Sequence, residues 1–169
     1  MRELKSLLSD KGTSLIEVIL YIALFSLIIV VVVDLLITSG GLKTESESQN
    51  WLQTDANLIS TRLSYEVRNA TAVVTPAVIG QTAGSLTLTF GSETHSFSLN
   101  SGSLLYENQG VTQPTNLNSS QTSISGLAFQ VLGNTGGKLS LKIDFTISTN
   151  KVSQQGILTK SYQIIVTQR

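Results

Sequence analysis

The feature that most constrains this chain is an apolar run from Leu15 to Ile37, LIEVILYIALFSLIIVVVVDLLI, 23 residues long, with a carboxylate at its third position. At about 1.5 Å of rise per residue a helix of that length reaches roughly 34 Å, enough to cross the hydrocarbon core of a bilayer. Its polar members are Glu17, Ser26 and Asp34, and Tyr21 carries a hydroxyl. Placing a carboxylate in hydrocarbon is unfavourable by about 2.5 kcal/mol or more, so Glu17 needs a partner or must reach back to the headgroups. Asp34 stands near the far end of the run and marks the exit of the helix into water.

The residues ahead of the run carry Arg2, Lys5 and Lys11 against Glu3 and Asp10. This positive excess keeps the N-terminus cytoplasmic and places everything past Thr38 outside. A secretory signal has an apolar region of about 7 to 15 residues followed by a small-residue cleavage site, so removal behind this longer run is not expected. A cut after Gly12 keeps the helix on the mature chain and creates an amine at Thr13, four residues from Glu17.

Lys11-Gly12 followed by Thr13-Ser14-Leu15-Ile16-Glu17 and the VILYIALFSLIIVVVV tail resembles the class III prepilin signal of type IV pilins and type II secretion pseudopilins. The resemblance implies that a prepilin peptidase cleaves between Gly12 and Thr13 and methylates the new N-terminus at Thr13. It further implies that Glu17, the fifth mature residue, pairs with the amine of a neighbouring subunit during filament assembly. Coulomb attraction grows steeply at low dielectric and an uncompensated buried charge is costly, which is the physical logic of such pairing. Thr13 departs from the family pattern, which usually has Phe at that position. The segment LISTRLSYEVRNAT, residues 58 to 71, is similar to the sequence that follows the anchor in J-type minor pseudopilins and PilW-like minor pilins.

After the anchor, Ser39-Gly40-Gly41 interrupts helical propensity, and Thr44 with Glu47 has the form of a capping box that restarts the helix. The alternative is a continuous helix that tolerates both glycines at roughly 1 kcal/mol each. From there Leu52, Ala56, Ile59, Leu63 and Val67 form an amphipathic stripe suited to lying on a sheet. Asp55, Arg62, Glu66 and Arg68 fall on the polar side, read as a solvated face, with Arg62 and Glu66 four residues apart. Trp51 is read as packing within the assembly or sitting at the membrane interface.

Beyond Ala70 the composition shifts to Ser, Thr, Gly, Asn and Gln with alternating apolar residues. Leu86, Leu88 and Phe90, then Phe97 and Leu99, give strand signals, and Asn100-Ser101-Gly102 turns the chain into Ser103 to Glu107 as a hairpin. Residues 108 to 123 read as an exposed loop. Leu127, Phe129 and Val131, the strongly alternating Lys138 to Ser148, and Gly156 to Thr167 form a three-stranded antiparallel meander that the stem stripe would cover. The expected organisation is a leader (1–12), a transmembrane and assembly helix (13–38), an amphipathic stem helix (39–70) and an antiparallel β head (71–169). The fold class is α+β, and the resemblance makes it type IV pilin-like.

Without cysteine the head holds by packing and not by disulfides. With one histidine, His95, no phosphate-cradling glycine loop and no carboxylate cluster at ligand spacing, no enzyme, cofactor or metal site is expected. His95 reads as a surface residue of a Thr-rich strand, and Glu93, Glu107 and Asp144 are too scattered for a calcium site. Asn69 and Asn118 match glycosylation sequons that are frequent in such sequences. Residues 125 to 169 hold Lys138, Lys142, Lys151, Lys160 and Arg169 against Asp144, whereas residues 44 to 108 hold six acids and two arginines. The basic third suggests DNA capture, or else subunit contact and solubility.

These readings converge on a minor pilin or pseudopilin of a pilus or secretion filament, a single-pass inner-membrane protein with its head outside. The partners implied by the resemblance are the prepilin peptidase, other pilin or pseudopilin subunits, an inner-membrane platform protein with its cytoplasmic ATPase, and membrane lipid. Two alternatives are a DNA- or surface-binding tip protein of an uptake pilus and a monomeric signal-anchored envelope domain.

Overall fold

Leu15 opens a helix, α1, that extends to Asn69 in a computed structural model that describes residues 14–109, 113–134, 137–152 and 156–169. Gly12 and Thr13, and the expected leader with them, lie outside the described residues. The chain divides into two compact units, one ending at Leu42 and the other spanning Lys43–Arg169.

In the first unit the helical residues are exposed along almost their whole length, with Ile16 at 74% and Leu27 at 68% accessible. No internal core explains so much apolar surface, and this is the one helix among the described residues that is long and apolar enough to cross a membrane. Ser39, Gly40 and Gly41 keep helical backbone, and so do Thr44 and Glu47. Of the two readings open for this stretch, a helix restarting at Thr44 with Glu47 and a continuous helix, the backbone takes the continuous one: two glycines weaken a helix by only about 1 kcal/mol each.

In the second unit the stem half of α1 buries its stripe as the spacing predicts: Leu52, Ala56, Ile59, Leu63 and Val67 are all at 1% exposure or less. Burial of each large side chain stabilises by about 1.5–3 kcal/mol. Among the described residues nine strands follow: β1 (Ala72–Thr75), β2 (Thr82–Ala83), β3 (Leu86–Phe90), β4 (Glu93–Asn100), β5 (Ser103–Asn108), β6 (Thr115–Asn116), β7 (Thr122–Leu132), β8 (Ser140–Thr149) and β9 (Thr159–Thr167). They form two antiparallel sheets, ordered β1-β3-β4-β5-β6 and β2-β7-β8-β9. The protein is thus α+β, with the stem helix and both sheets sharing one core that includes Leu86, Leu88, Phe97, Phe129, Ile143 and Phe145.

The expected meander is present as β7-β8-β9, and the expected hairpin is β4-β5, closed by the pair Asn100 and Ser103. Ser101 (φ 49°) and Gly102 (φ 82°) both have positive φ, the pattern of the two-residue turns that match strand twist. A Cβ on Gly102 would also meet Ser123 Oγ, which can rotate away, so it is the positive φ that calls for glycine at this position.

Residues 108 to 123 are not simply an exposed loop. They contain β6, their Leu117 and Asn118 are buried, and β7 begins at Thr122. The early part of β7 escapes a period-two reading because the ladder is irregular between Ser125 and Ala128. Gly126 has φ 61° there, and the buried positions change phase from Ile124 to Leu127, Phe129 and Val131.

Candidate functional site

Glu17 lies in the first turn of α1. The carbonyl of Ser14 accepts from the backbone N–H groups of Glu17 at 2.9 Å and Val18 at 3.2 Å, so the helix start is already bonded where the acid stands. Tyr21 sits one turn further on, and its hydroxyl donates to Glu17 Oε1 across a long 3.4 Å. Among the described residues no cation pairs with Glu17. A neutral hydroxyl at that distance offsets little of the desolvation of a carboxylate, whereas an ammonium does so by charge and by hydrogen bonding together. Of the three residues expected to carry processing and assembly, Glu17 is on a described, exposed helical face, and Gly12 and Thr13 lie outside the described residues.

The second unit holds a charged cluster that periodicity did not reveal. Glu66, expected on a solvated face, is only 2% exposed, and its carboxylate is held from both sides. Arg62 binds Oε1 at 2.8 Å, and His95 Nδ1 lies 2.8 Å from Oε2. His95 is correspondingly buried on β4 and not a surface residue. Its ring packs on Phe90 at 4.2 Å between centroids and edge-on to Tyr106 at 5.6 Å, with the Tyr106 hydroxyl 3.2 Å from Nδ1. Arg62 completes the group by lying over the Tyr106 ring at 4.6 Å. The arrangement ties the stem to β4 and β5.

Asp55 is the other correction to the solvated face: it is 6% exposed, and it accepts from Ser119 N at 2.9 Å, from Ser119 Oγ at 2.8 Å and from the Thr122 hydroxyl. It thereby fastens the stem to the segment entering β7. Asn118 works beside it, accepting from Leu104 N at 2.9 Å and donating to Thr122 O at 2.9 Å. The signal available in the sequence was position alone: Asp55 adjoins Ala56 and Glu66 adjoins Val67 on the buried stripe, so a cover wider than the stripe takes them in.

The basic residues of the last third do not act as one free set. Lys142 pairs with Asp144 at 3.1 Å, and Lys151 stands 5.6 Å from the Trp51 ring centroid. The carboxyl of Asp144 is held below its usual range by a hydrogen bond from Gln163 at 2.8 Å and by Lys142. Among the described residues no group of three or more His, Asp and Glu side chains is placed to hold a metal ion. No family model, curated protein or solved structure matches the chain.

Proposed function

We propose that this chain is a minor pilin or pseudopilin, a structural subunit that enters a type IV pilus-like or type II secretion filament through its N-terminal helix. One observation carries the reading: a carboxylate, Glu17, stands in the first turn of an exposed apolar helix and has no cation among the described residues to pair with it. Gly12-Thr13 just ahead of it supplies the cut that frees an amine at the right distance along the chain. The stem stripe buried under antiparallel sheets supports a pilin-like head.

In this reading prepilin peptidase cuts after Gly12 and methylates Thr13, and the chain stays in the inner membrane with its N-terminus cytoplasmic and its head outside. During assembly the amine of one subunit meets Glu17 of a neighbour, so that each satisfies a charge the lipid leaves unpaired. The platform protein and its ATPase drive that step, and the subunit's own role is structural and not catalytic. Co-expression with the cognate peptidase, followed by mass spectrometry of the N-terminus, tests the proposal. The expected mature chain begins at methylated Thr13; one that still begins at Met1 overturns it.

A further inference from the structure

A groove of about 500 Å³ runs along the outer face of the stem, on the side away from the stripe that packs under the sheets. Two rows of side chains at i, i+4 spacing line it, Ser60, Ser64 and Arg68 beside Thr61, Tyr65 and Asn69. Arg169, two residues past β9, joins them, and no aspartate or glutamate side chain contributes to the lining. The residue before Arg169 is tied down at both ends: Gln168 N donates to Leu139 O at 2.9 Å, and Gln168 Nε2 donates to Ala70 O at 2.6 Å. Those bonds carry Arg169 to the last turn of α1, where Arg68 stands.

Neither guanidinium makes an ion pair or a hydrogen bond among the described residues. A cation in the last turn of a helix gains from the helix dipole, which accounts for Arg68 alone. It does not account for Arg169, and carbonyls that a cation would cap there are already bonded, Tyr65 O by Asn69 Nδ2 at 2.9 Å and Glu66 O by Ala70 N at 2.9 Å. Two like charges brought to one groove without a counter-charge repel each other, so an anion seated in the groove is held by both.

We propose that this groove is a binding site for a phosphate monoester. A carboxylate has two oxygens, and one guanidinium fork satisfies both. Here two forks stand with the Ser60 and Ser64 hydroxyls, which have no partner among the described residues, and together they offer more donors than a carboxylate accepts. A dianion with three terminal oxygens matches that set. Tyr65, 61% exposed, presents its ring to the organic part of the ligand. A soluble phosphorylated molecule and the headgroup of phosphatidic acid carry the same group.

The test uses the full chain in detergent micelles, with glycerol 3-phosphate as the soluble probe, phosphatidic acid in the micelle as the lipid probe and acetate as the carboxylate control. Arginine Nε–H and backbone amide signals are followed by NMR. A phosphate probe should shift Arg68, Arg169, Ser64 and Tyr65 with half-saturation near about 1 mM, and leave Lys138 and Lys160 unmoved. Arg68→Gln and Arg169→Gln should each weaken binding about tenfold, and Lys160→Gln, outside the groove, should leave it unchanged. Both arginines are exposed, so each variant should keep the parent amide spectrum elsewhere. Saturation by glycerol 3-phosphate supports a soluble ligand, and saturation by phosphatidic acid alone supports a headgroup. The proposal fails if neither probe shifts the arginines at about ten times the expected half-saturation, if acetate binds as tightly, or if Lys160→Gln weakens binding as much as the arginine variants.

Discussion

His95 Nδ1 on β4 lies 2.8 Å from Glu66 Oε2 on α1, and the two side chains are 11% and 2% exposed. The contact joins stem to sheet across 29 residues of chain. Because Arg62 holds the other oxygen of Glu66, three elements depend on one carboxylate, α1 directly and β4 and β5 through His95 and Tyr106.

Glu66→Ala leaves Arg62 and the buried His95 without their shared partner and should destabilise the head by about 3 kcal/mol. Glu66→Gln keeps a hydrogen-bond acceptor toward His95 and should lose about half as much. Urea unfolding followed by tryptophan fluorescence gives both values; equal stability of the Ala variant and the parent would remove the cluster from the account of how the stem is held.

Asp55→Ala deprives Ser119 and Thr122 of a charged acceptor. A loss of about 2–3 kcal/mol is expected, with Asp55→Asn intermediate. Amide exchange should accelerate first at Ser119 and Thr122, before the rest of the sheet; uniform acceleration across the head would argue against a local fastening.

Gly102→Ala meets a positive φ and brings its new Cβ against Ser123 Oγ. The expected destabilisation is about 2 kcal/mol or more. Adding Ser123→Gly should recover the steric part and leave the backbone part, roughly 1 kcal/mol. Thermal melts of the single and double variants separate the two, and no recovery in the double variant would show that the contact is relieved by other means.

Asp144 titrates below its ordinary range in the folded chain because Gln163 and Lys142 stabilise its charged form. A depressed folded value means that its contribution is present above the unfolded pKa and is lost as pH falls through the folded one. Gln163→Leu should flatten that acid limb of the stability curve. Solvent screening at this 37% exposed side chain limits the effect to a few tenths of a kcal/mol. An unchanged difference between stability at neutral pH and at pH below the ordinary carboxylate range would contradict this assignment.

Glu17→Gln tests the proposed assembly chemistry in isolation. Membrane insertion and leader removal should continue, since neither needs a charge at this position, while incorporation into filaments is lost. Quantifying the variant in sheared filaments against the membrane fraction decides the matter, and wild-type incorporation would sink the proposed pairing.

The long apolar helix and the strand faces were legible in the amino-acid sequence because their signals are local. A run such as Leu15 to Ile37 announces by length and composition a helix able to cross a membrane, and the alternation in β8 announces a half-buried strand by period. The stripe Leu52, Ala56, Ile59, Leu63 and Val67 was equally readable. What tertiary structure alone decided was the fate of the polar residues beside that stripe. Asp55 meets Ser119 and Thr122 across 64 and 67 residues, and Glu66 meets His95 across 29. Periodicity assigns a residue to a face but carries no information about how far the cover extends or which groups it brings. Acids one step off an apolar stripe therefore read as solvated until the sheets that enclose them, and the donors on those sheets, are in place.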